Sequence, residues 1–400
     1  MRASLLCLIA AVAPENATIT TAANTQINTR EITLTMEGGG LLVKYTDTAG
    51  RSGMLQAAEV VEIALGSGHA VPTRPAPEEV EILLATGDLL AGRLGTPSEE
   101  GVRLLSPAYG DPLIKFGQIR ALLFPANKAF LPLNLPGKGA TADIVLTQAG
   151  DRAEGTILSI SKAGVVYKSK RLDTEVSLPV EKTAGVWLIE TEAPPKEPSG
   201  IHATVVTTDG SSMRGEIQSL QEGVLSLKDL YGAVHKIPAN LLSAIFMKNG
   251  RVVYLSDISP TEVDEEANFI RGPKKSSSDL DFPFQRDRSA RGTKILLAGV
   301  EHRKGLGVRA RSSLTYSLGG GFKRFQSTVG LDAVSAGLGA ILAEVWVDGT
   351  KSKEITLKGN DGPQAIDLDV TGVKELRLVV TWAGYGQSDF TDWGSARLIR

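Results

Sequence analysis

Cysteine is almost missing: the one thiol in 400 residues is Cys7, which excludes disulfide stapling and cysteine-based zinc sites from the body of the chain. Histidine is scarce too, with only His69, His202, His235 and His302. Neither sign of charge prevails, 43 Lys and Arg standing against 45 Asp and Glu, so the broad basic field that non-specific nucleic-acid binding relies on is absent. No apolar run after the first residues approaches the ~20 needed to span a bilayer as a helix. Aromatics are few, with 4 Trp, 7 Tyr and 10 Phe, whereas glycine reaches 43. That balance favours many short strands and turns over large helical cores. The length itself exceeds one ordinary core, since domains usually run to about 100 to 200 residues.

At the start, Met1-Arg2 precedes an apolar run over 5–13, and Ala11-Val12-Ala13 has the small-x-small form of a signal-peptidase site. We read 1–17 as a signal peptide, with cleavage after Ala13 or after Ala17, and expect a periplasmic, cell-surface or extracellular protein. Cys7 would leave with that peptide.

The middle of the chain repeats itself. In the segments 83–123, 144–189 and 205–246, a turn glycine (Gly87, Gly150, Gly210) is followed five residues later by a second (Gly92, Gly155, Gly215). Eight or nine residues on comes Gly-Val, at Gly101-Val102, Gly164-Val165 and Gly223-Val224, and each unit closes on an apolar string. The pitch, 63 and then 60 residues, exceeds that of solenoid repeats and suits a five-strand barrel plus a linker. The expectation is tandem small SH3-like barrels at 80–126, 142–191 and 202–256, preceded by a partial or degenerate copy at 30–67. Proline-rich connectors at 71–77, 132–138 and 194–199 would space them as beads. Asp88 and Asp151 read as turn residues that bond their own backbone.

A linker is expected over 257–281, acidic at 261–266 and then basic and serine-rich. Beyond it the composition changes. Residues 281–400 hold 10 of the aromatics and 17 basic against 13 acidic side chains, while 1–280 hold 26 basic and 32 acidic. Period-two runs such as Leu314-Tyr316-Leu318, Ala343-Val345-Val347 and Leu376-Leu378-Val380, with an Asp348-Gly349 turn, predict a two-sheet sandwich over 282–400. Gly305-Leu306-Gly307-Val308-Arg309-Ala310 has the form of a dinucleotide loop, but a strand follows it where that loop needs a helix.

The blocks Leu296-Leu297-Ala298-Gly299, Lys304-Gly305-Leu306-Gly307-Val308, Val329-Gly330-Leu331-Asp332, Val345-Trp346-Val347-Asp348-Gly349 and Asp389-Phe390-Thr391-Asp392-Trp393 stand in an order that resembles the NPCBM module. This is the carbohydrate-binding module associated with family 98 glycosyl hydrolases. The resemblance implies a jelly-roll β-sandwich and non-catalytic recognition of a glycan, galactose-containing or acidic. Arg309 and Phe390 stand where the family often has histidine. The preceding repeats look like those of planctomycete-type secreted proteins. The whole chain is therefore expected to be all-β.

A sugar needs a flat aromatic face and a few fixed polar groups. The segment 381–393 supplies Trp382, Tyr385, Gln387, Asp389, Phe390 and Asp392, to which we add Arg309, while Trp393 reads as core. Arg303, Lys304 and Arg311 form a candidate patch for an acidic or sulfated glycan. Asp332, Asp389 and Asp392 are candidates for a structural calcium, and no other cofactor is expected. The chain reads as an exported carbohydrate-binding protein and not an enzyme. The alternative is a scaffold or adhesin whose barrels bind protein partners, and a glycoside hydrolase is disfavoured because no Asp/Glu pair, G-x-S-x-G, H-E-x-x-H or P-loop stands out.

Overall fold

A computed structural model describes residues 16–23, 25–65, 79–125, 141–265, 283–335, 337–384 and 389–400. Cys7, His69 and the connectors at 71–77 and 132–138 lie outside them. The described chain is built of β-strands joined by turns and three-residue 3-10 segments, in two compact units, 1–250 and 251–400. No helix among the described residues is long and apolar enough to cross a membrane.

The first unit holds four copies of one pattern. The first copy comprises β1 (Ala17–Thr21), β2 (Gln26–Glu37), β3 (Gly40–Asp47), β4 (Ser52–Gln56), a 3-10 turn at Ala57–Glu59 and β5 (Val60–Leu65). The second comprises β6 (Glu79–Leu84), β7 (Leu89–Leu94), β8 (Gly101–Leu105), β9 (Leu113–Lys115), a 3-10 turn at Phe116–Gln118 and β10 (Ile119–Leu123). The third runs through β11 (Asp143–Thr147), β12 (Arg152–Ser161), β13 (Gly164–Ser169), β14 (Glu175–Leu178), a turn at Val180–Lys182 and β15 (Thr183–Trp187). The fourth runs through β16 (His202–Thr207), β17 (Ser212–Gln221), β18 (Val224–Asp229), β19 (Val234–Pro238), a turn at Ala239–Leu241 and β20 (Leu242–Lys248). In each copy the fifth strand returns antiparallel to the first.

The paired glycines explain the spacing seen in the sequence. Gly87, Gly150 and Gly210 have φ near +90°, a left-handed turn conformation that side chains with a Cβ resist. At Gly92, Gly155 and Gly215 a Cβ would run into the carbonyl of Leu105, Lys168 or Lys228 on the facing strand. The first copy lacks the second glycine: Thr29 takes its place, buried with its Oγ1 donating to the Ala17 carbonyl at 3.1 Å. This copy is complete and begins at Ala17, so the expectation of a partial unit at 30–67 is corrected. Ala17 is buried in β1, and a cut after Ala17 would remove the strand's first residue.

The copies are not spaced beads. β5 pairs β20, joining the first copy to the fourth, and β10 pairs β15, joining the second to the third. Single pairings Leu220–Leu34 and Ser212–Leu89 complete one sheet of 20 strands. One apolar cluster runs from Ile19 through Leu104, Val165 and Ile245. A unit of some 50 residues buries too little surface to be robust alone, and an unpaired fifth strand would offer a sticky edge; fusing the edges answers both problems. Asp88, expected in a turn, is 4% exposed and accepts from Arg214 Nε at 2.7 Å and from the Arg214 backbone N–H at 3.1 Å. It links the second copy to the fourth.

The second unit is a two-sheet sandwich. One sheet contains β21 (Val252–Tyr254), β23 (Gln285–Arg286), β26 (Gly305–Arg309), β28 (Arg324–Leu331), β31 (Gln364–Asp369) and β33 (Phe390–Ile399). The other has β22 (Glu262–Glu265), β27 (Ser312–Ser317), β29 (Ala340–Val347), β30 (Thr350–Lys358) and β32 (Glu375–Trp382), and a hairpin of β24 (Ile295–Leu297) and β25 (Val300–His302) stands apart. Leu314, Tyr316, Val345, Leu378, Phe325 and Trp393 fill the core, drawn from both sheets. The dinucleotide-like segment is strand β26, as its context required.

Residues 252–265 correct the expected boundary, which ended the fourth repeat at 256 and placed a linker over 257–281. β26 pairs β33 only as far as Gly394, and β21 takes over at Arg397–Ile399; β22 covers the edge of β27. Both segments pair backbone groups that would otherwise line open edges. Residues 266–282 lie outside the described residues.

Candidate functional site

The site lies where β26 ends, the chain turns through Ala310-Arg311 into β27, and β33 begins. Asp389 is its hub. It is 2% exposed, and its two oxygens are taken by different donors: Arg309 Nε to Oδ1 at 3.1 Å and Trp382 Nε1 to Oδ2 at 2.9 Å. Its backbone carbonyl accepts from Ala310 N–H at 3.2 Å. A buried carboxylate costs several kcal/mol unless it is paired and hydrogen-bonded, and Asp389 meets both conditions while fixing the indole at the end of β32.

Trp382 is 41% exposed, unusual for the largest side chain. The guanidinium of Arg311 stands 5.9 Å from its ring centroid. Phe390 lies between two cations, Arg309 at 5.8 Å and Arg291 at 5.9 Å from the ring centroid, within the range of cation–π attraction. The Phe390 N–H donates to Ser335 Oγ at 3.0 Å and its carbonyl accepts from Asp332 N–H at 3.0 Å. The arrangement offers an exposed aromatic face held by a buried acid, with arginines at its margin. Such a surface can stack on the C–H face of a sugar and bond its polar groups.

Five of the seven residues expected to bind sugar, Arg309, Trp382, Asp389, Phe390 and Asp392, come together at the β26 and β33 ends. Tyr385 and Gln387 lie outside the described residues. Asp392 faces inward and is fully buried, so it is not a sugar contact. Trp393 is core, as expected. Arg291 and Ser335 were not foreseen: each is far from the 381–393 segment in sequence and reaches the site only through the fold.

The anionic patch is corrected. Lys304 is 8% exposed and lies between Asp257 at 2.8 Å and Asp287 at 2.7 Å, whose charges hold its ammonium above the usual lysine range against the opposing effect of burial. It anchors the segment after β21 to the sandwich. Arg303 and Lys304 precede β26 whereas Arg309 ends it and Arg311 follows it, about 17 Å along a strand from Lys304 to Arg309. The arginines gathered at the aromatic face are Arg291, Arg309 and Arg311.

Of the three aspartates expected to hold calcium, Asp332 and Asp392 lie side by side. Asp389 is occupied by Arg309 and Trp382, and among the described residues no three His, Cys, Asp or Glu side chains are placed to hold a metal ion. Neither Asp392 oxygen accepts from a neighbouring N–H or hydroxyl, and burial first, then the adjacent Asp332 through its charge and a carboxyl–carboxylate hydrogen bond, pushes its carboxyl up to about 9. It carries a proton at neutral pH. Asp332 is buried beside it and caps its own turn, accepting from Val334 N–H at 2.8 Å.

Residues 252–399 match the NPCBM/NEW2 domain family. A Renibacterium salmoninarum protein, provisionally named as an endo-alpha-N-acetylgalactosaminidase, is 29% identical over 111 residues, 27% of this chain and 7% of that protein. The chain therefore spans a small fraction of that relative. A solved CBM51 of Clostridium perfringens GH95 in complex with methyl-galactose is 29% identical with a TM-score of 0.31, covering 37% of this chain and 99% of that one. The CBM51-2 and INT domains of Clostridium perfringens ZmpB in complex with GlcNAc are 22% identical with a TM-score of 0.33, covering 44% of this chain and 36% of that one.

Proposed function

We propose, on the premise that residues 252–399 form an NPCBM/NEW2 domain, that this protein is an exported, non-catalytic glycan-binding protein whose recognition face is Trp382 with Arg309 and Arg311. The observation that carries the reading is the exposed indole of Trp382 pinned by the buried Asp389. A fixed aromatic platform loses little side-chain freedom on binding, which is where such sites gain affinity. The arginines at its margin favour a glycan bearing a carboxylate or sulfate, alone or on a galactose-containing chain.

Absence of catalysis is part of the proposal. Glycosidic cleavage needs two carboxyl groups flanking the bond, whereas the two in the strand-opening segment beside the platform, Asp389 and Asp392, are both buried, one bound to Arg309 and Trp382 and the other protonated. Export rests on the apolar run at 5–13 and its small-x-small cleavage site.

A glycan array probed with the full chain and with Trp382→Ala tests this function. For carboxylate- or sulfate-bearing glycans, signals at least tenfold weaker in the variant, equivalent to ~1.4 kcal/mol, are the expected result. Equal binding by the two proteins would overturn it, and release of reducing ends by the full chain would replace binding with hydrolysis.

A further inference from the structure

Four copies of one pattern invite comparison at matched positions. The turn from the third to the fourth strand opens at Asp47, Ser106, Ser169 or Asp229 in the four copies. Two residues earlier stand Tyr45, Leu104, Tyr167 and Leu227. The last three are buried in the shared core, whereas Tyr45 is only half-buried. The residue across from it on the fourth strand differs as well: Gly53 faces Tyr45, where Val176 faces Tyr167 and His235 faces Leu227. A Cβ at Gly53 would overlap the Tyr45 ring. The phenol thus rests on glycine backbone, packed in part against the shared core and in part open to solvent.

Two open depressions share this ring and Ser52, with volumes of about 540 Å³ and 390 Å³. Glu31, Thr33, Lys44 and Thr46 line the larger, and Gln26, Asn28, Asp47 and Arg51 the smaller. The walls are rich in hydroxyl and amide groups. Each depression carries one acid and one base, and Arg51 is tied to Asp47 at 2.7 Å. A surface with cancelling charges gives an ionic ligand no net attraction, while its donors and acceptors suit neutral hydroxyls.

We propose that Tyr45 and its two flanking depressions form a second saccharide-binding site, in the first repeat, for neutral oligosaccharides long enough to place a sugar on each side of the ring. The aromatic face supplies stacking and the opposed walls supply hydrogen bonds, the combination that sugar recognition requires. The site is chemically unlike the arginine-bordered face of Trp382 and is independent of it. A chain with two sites of different preference would hold a mixed polysaccharide more tightly than either alone, through effective concentration.

The test uses the full chain carrying Trp382→Ala, so that failure of the C-terminal site cannot be mistaken for failure of this one. It is applied to an array of neutral cello-, chito- and galacto-oligosaccharides. Expected are signals that survive Trp382→Ala, fall at least fivefold when Tyr45→Ala is added, and stay within about twofold for Tyr45→Phe. No surviving signal, or signals indifferent to Tyr45→Ala, would overturn the proposal. If Tyr45→Ala lowers the melting temperature, Glu31→Gln and Ser52→Ala decide: weaker binding at unchanged melting temperature supports the site, and unchanged binding removes it. Capture of extended peptides through Tyr45 with no saccharide signal would also overturn it.

Discussion

The indole N–H of Trp382 donates to Asp389 Oδ2 at 2.9 Å while Arg309 holds the other oxygen of the same carboxylate. An exposed aromatic side chain is thereby positioned by a buried charge, and disturbing the charge disturbs the aromatic face without removing it.

Asp389→Ala is expected to cost about 3 kcal/mol of stability in the C-terminal unit, because it removes from a buried position the acceptor of both Arg309 Nε and the Trp382 indole. Asp389→Asn, which keeps an acceptor for one donor, should cost less. Both should weaken glycan binding, since the indole loses its anchor. Urea titration of the full chain followed by tryptophan fluorescence, beside array binding, measures the two effects; an Asp389→Ala protein with wild-type urea midpoint would show that the pair contributes nothing.

Asp392 gives a pH dependence of defined sign. Its carboxyl ionises near 3.8 when exposed and is raised to about 9 in the fold by burial and by Asp332. Between those values the folded state keeps a proton that the unfolded state has released. Its contribution is fully present below pH 3.8 and is lost as pH rises through about 9, a slope of up to ~1.4 kcal/mol per pH unit for a full proton. Asp392→Asn mimics the neutral acid at every pH, so the variant should gain on the wild type steadily from pH 5 to pH 9. Parallel stability profiles across that range would show that Asp392 is not the proton-holding group.

Much of this architecture was legible because backbone geometry leaves its mark on composition. The pairs Gly87/Gly92, Gly150/Gly155 and Gly210/Gly215 revealed three repeats, since no other residue fits a left-handed turn or a facing carbonyl so closely. The alternation at Leu314, Tyr316 and Leu318 revealed an inward strand face. What stayed hidden did so for equally physical reasons. Thr29 fills the second glycine's place in the first repeat and erased its signature. Glu262–Glu265 is an edge strand, mostly exposed, so its sequence reads as an acidic tether. Fusion of the repeats depends on which strand edges meet, and Arg291 and Ser335 join the site only in three dimensions; neither relationship has a local pattern.

The arginines around the aromatic face predict salt-sensitive binding. If an acidic sugar is held there, raising salt from 50 to 500 mM should weaken the full chain's affinity several-fold, and Arg311→Ala should flatten that response more than Arg303→Ala, because Arg303 precedes β26 while Arg311 stands by Trp382. Isothermal titration with a uronate- or sulfate-bearing glycan found on the array supplies the measurement. Equal salt responses in the two variants would place the anionic contact elsewhere.

Arg214 binds three groups of the repeat unit: Asp88 and the Thr86 carbonyl in one turn of the second copy, and Glu197 in the segment before the fourth. Removing it strands Asp88, which is 4% exposed, so Arg214→Ala should cost roughly 3–5 kcal/mol. The double variant Asp88→Ala, Arg214→Ala should recover part of that loss, because no charge is then left buried alone; a double-mutant cycle measures the difference. Glu197 responds to acid in the same network. The His202 ring, 3.4 Å away, and then the Arg214 charge lower its carboxyl from 4.5 to about 2. Its contribution is present above pH 4.5 and is lost as pH falls through about 2. Because the side chain is 41% exposed, solvent screening limits that contribution to about 1 kcal/mol or less. Glu197→Gln should therefore cost little, and only above that window, while Arg214→Ala should cost several times more at every pH. Equal costs for the two would mean that the buried Asp88 gains nothing from its partner and that pairing of strand edges alone joins the copies.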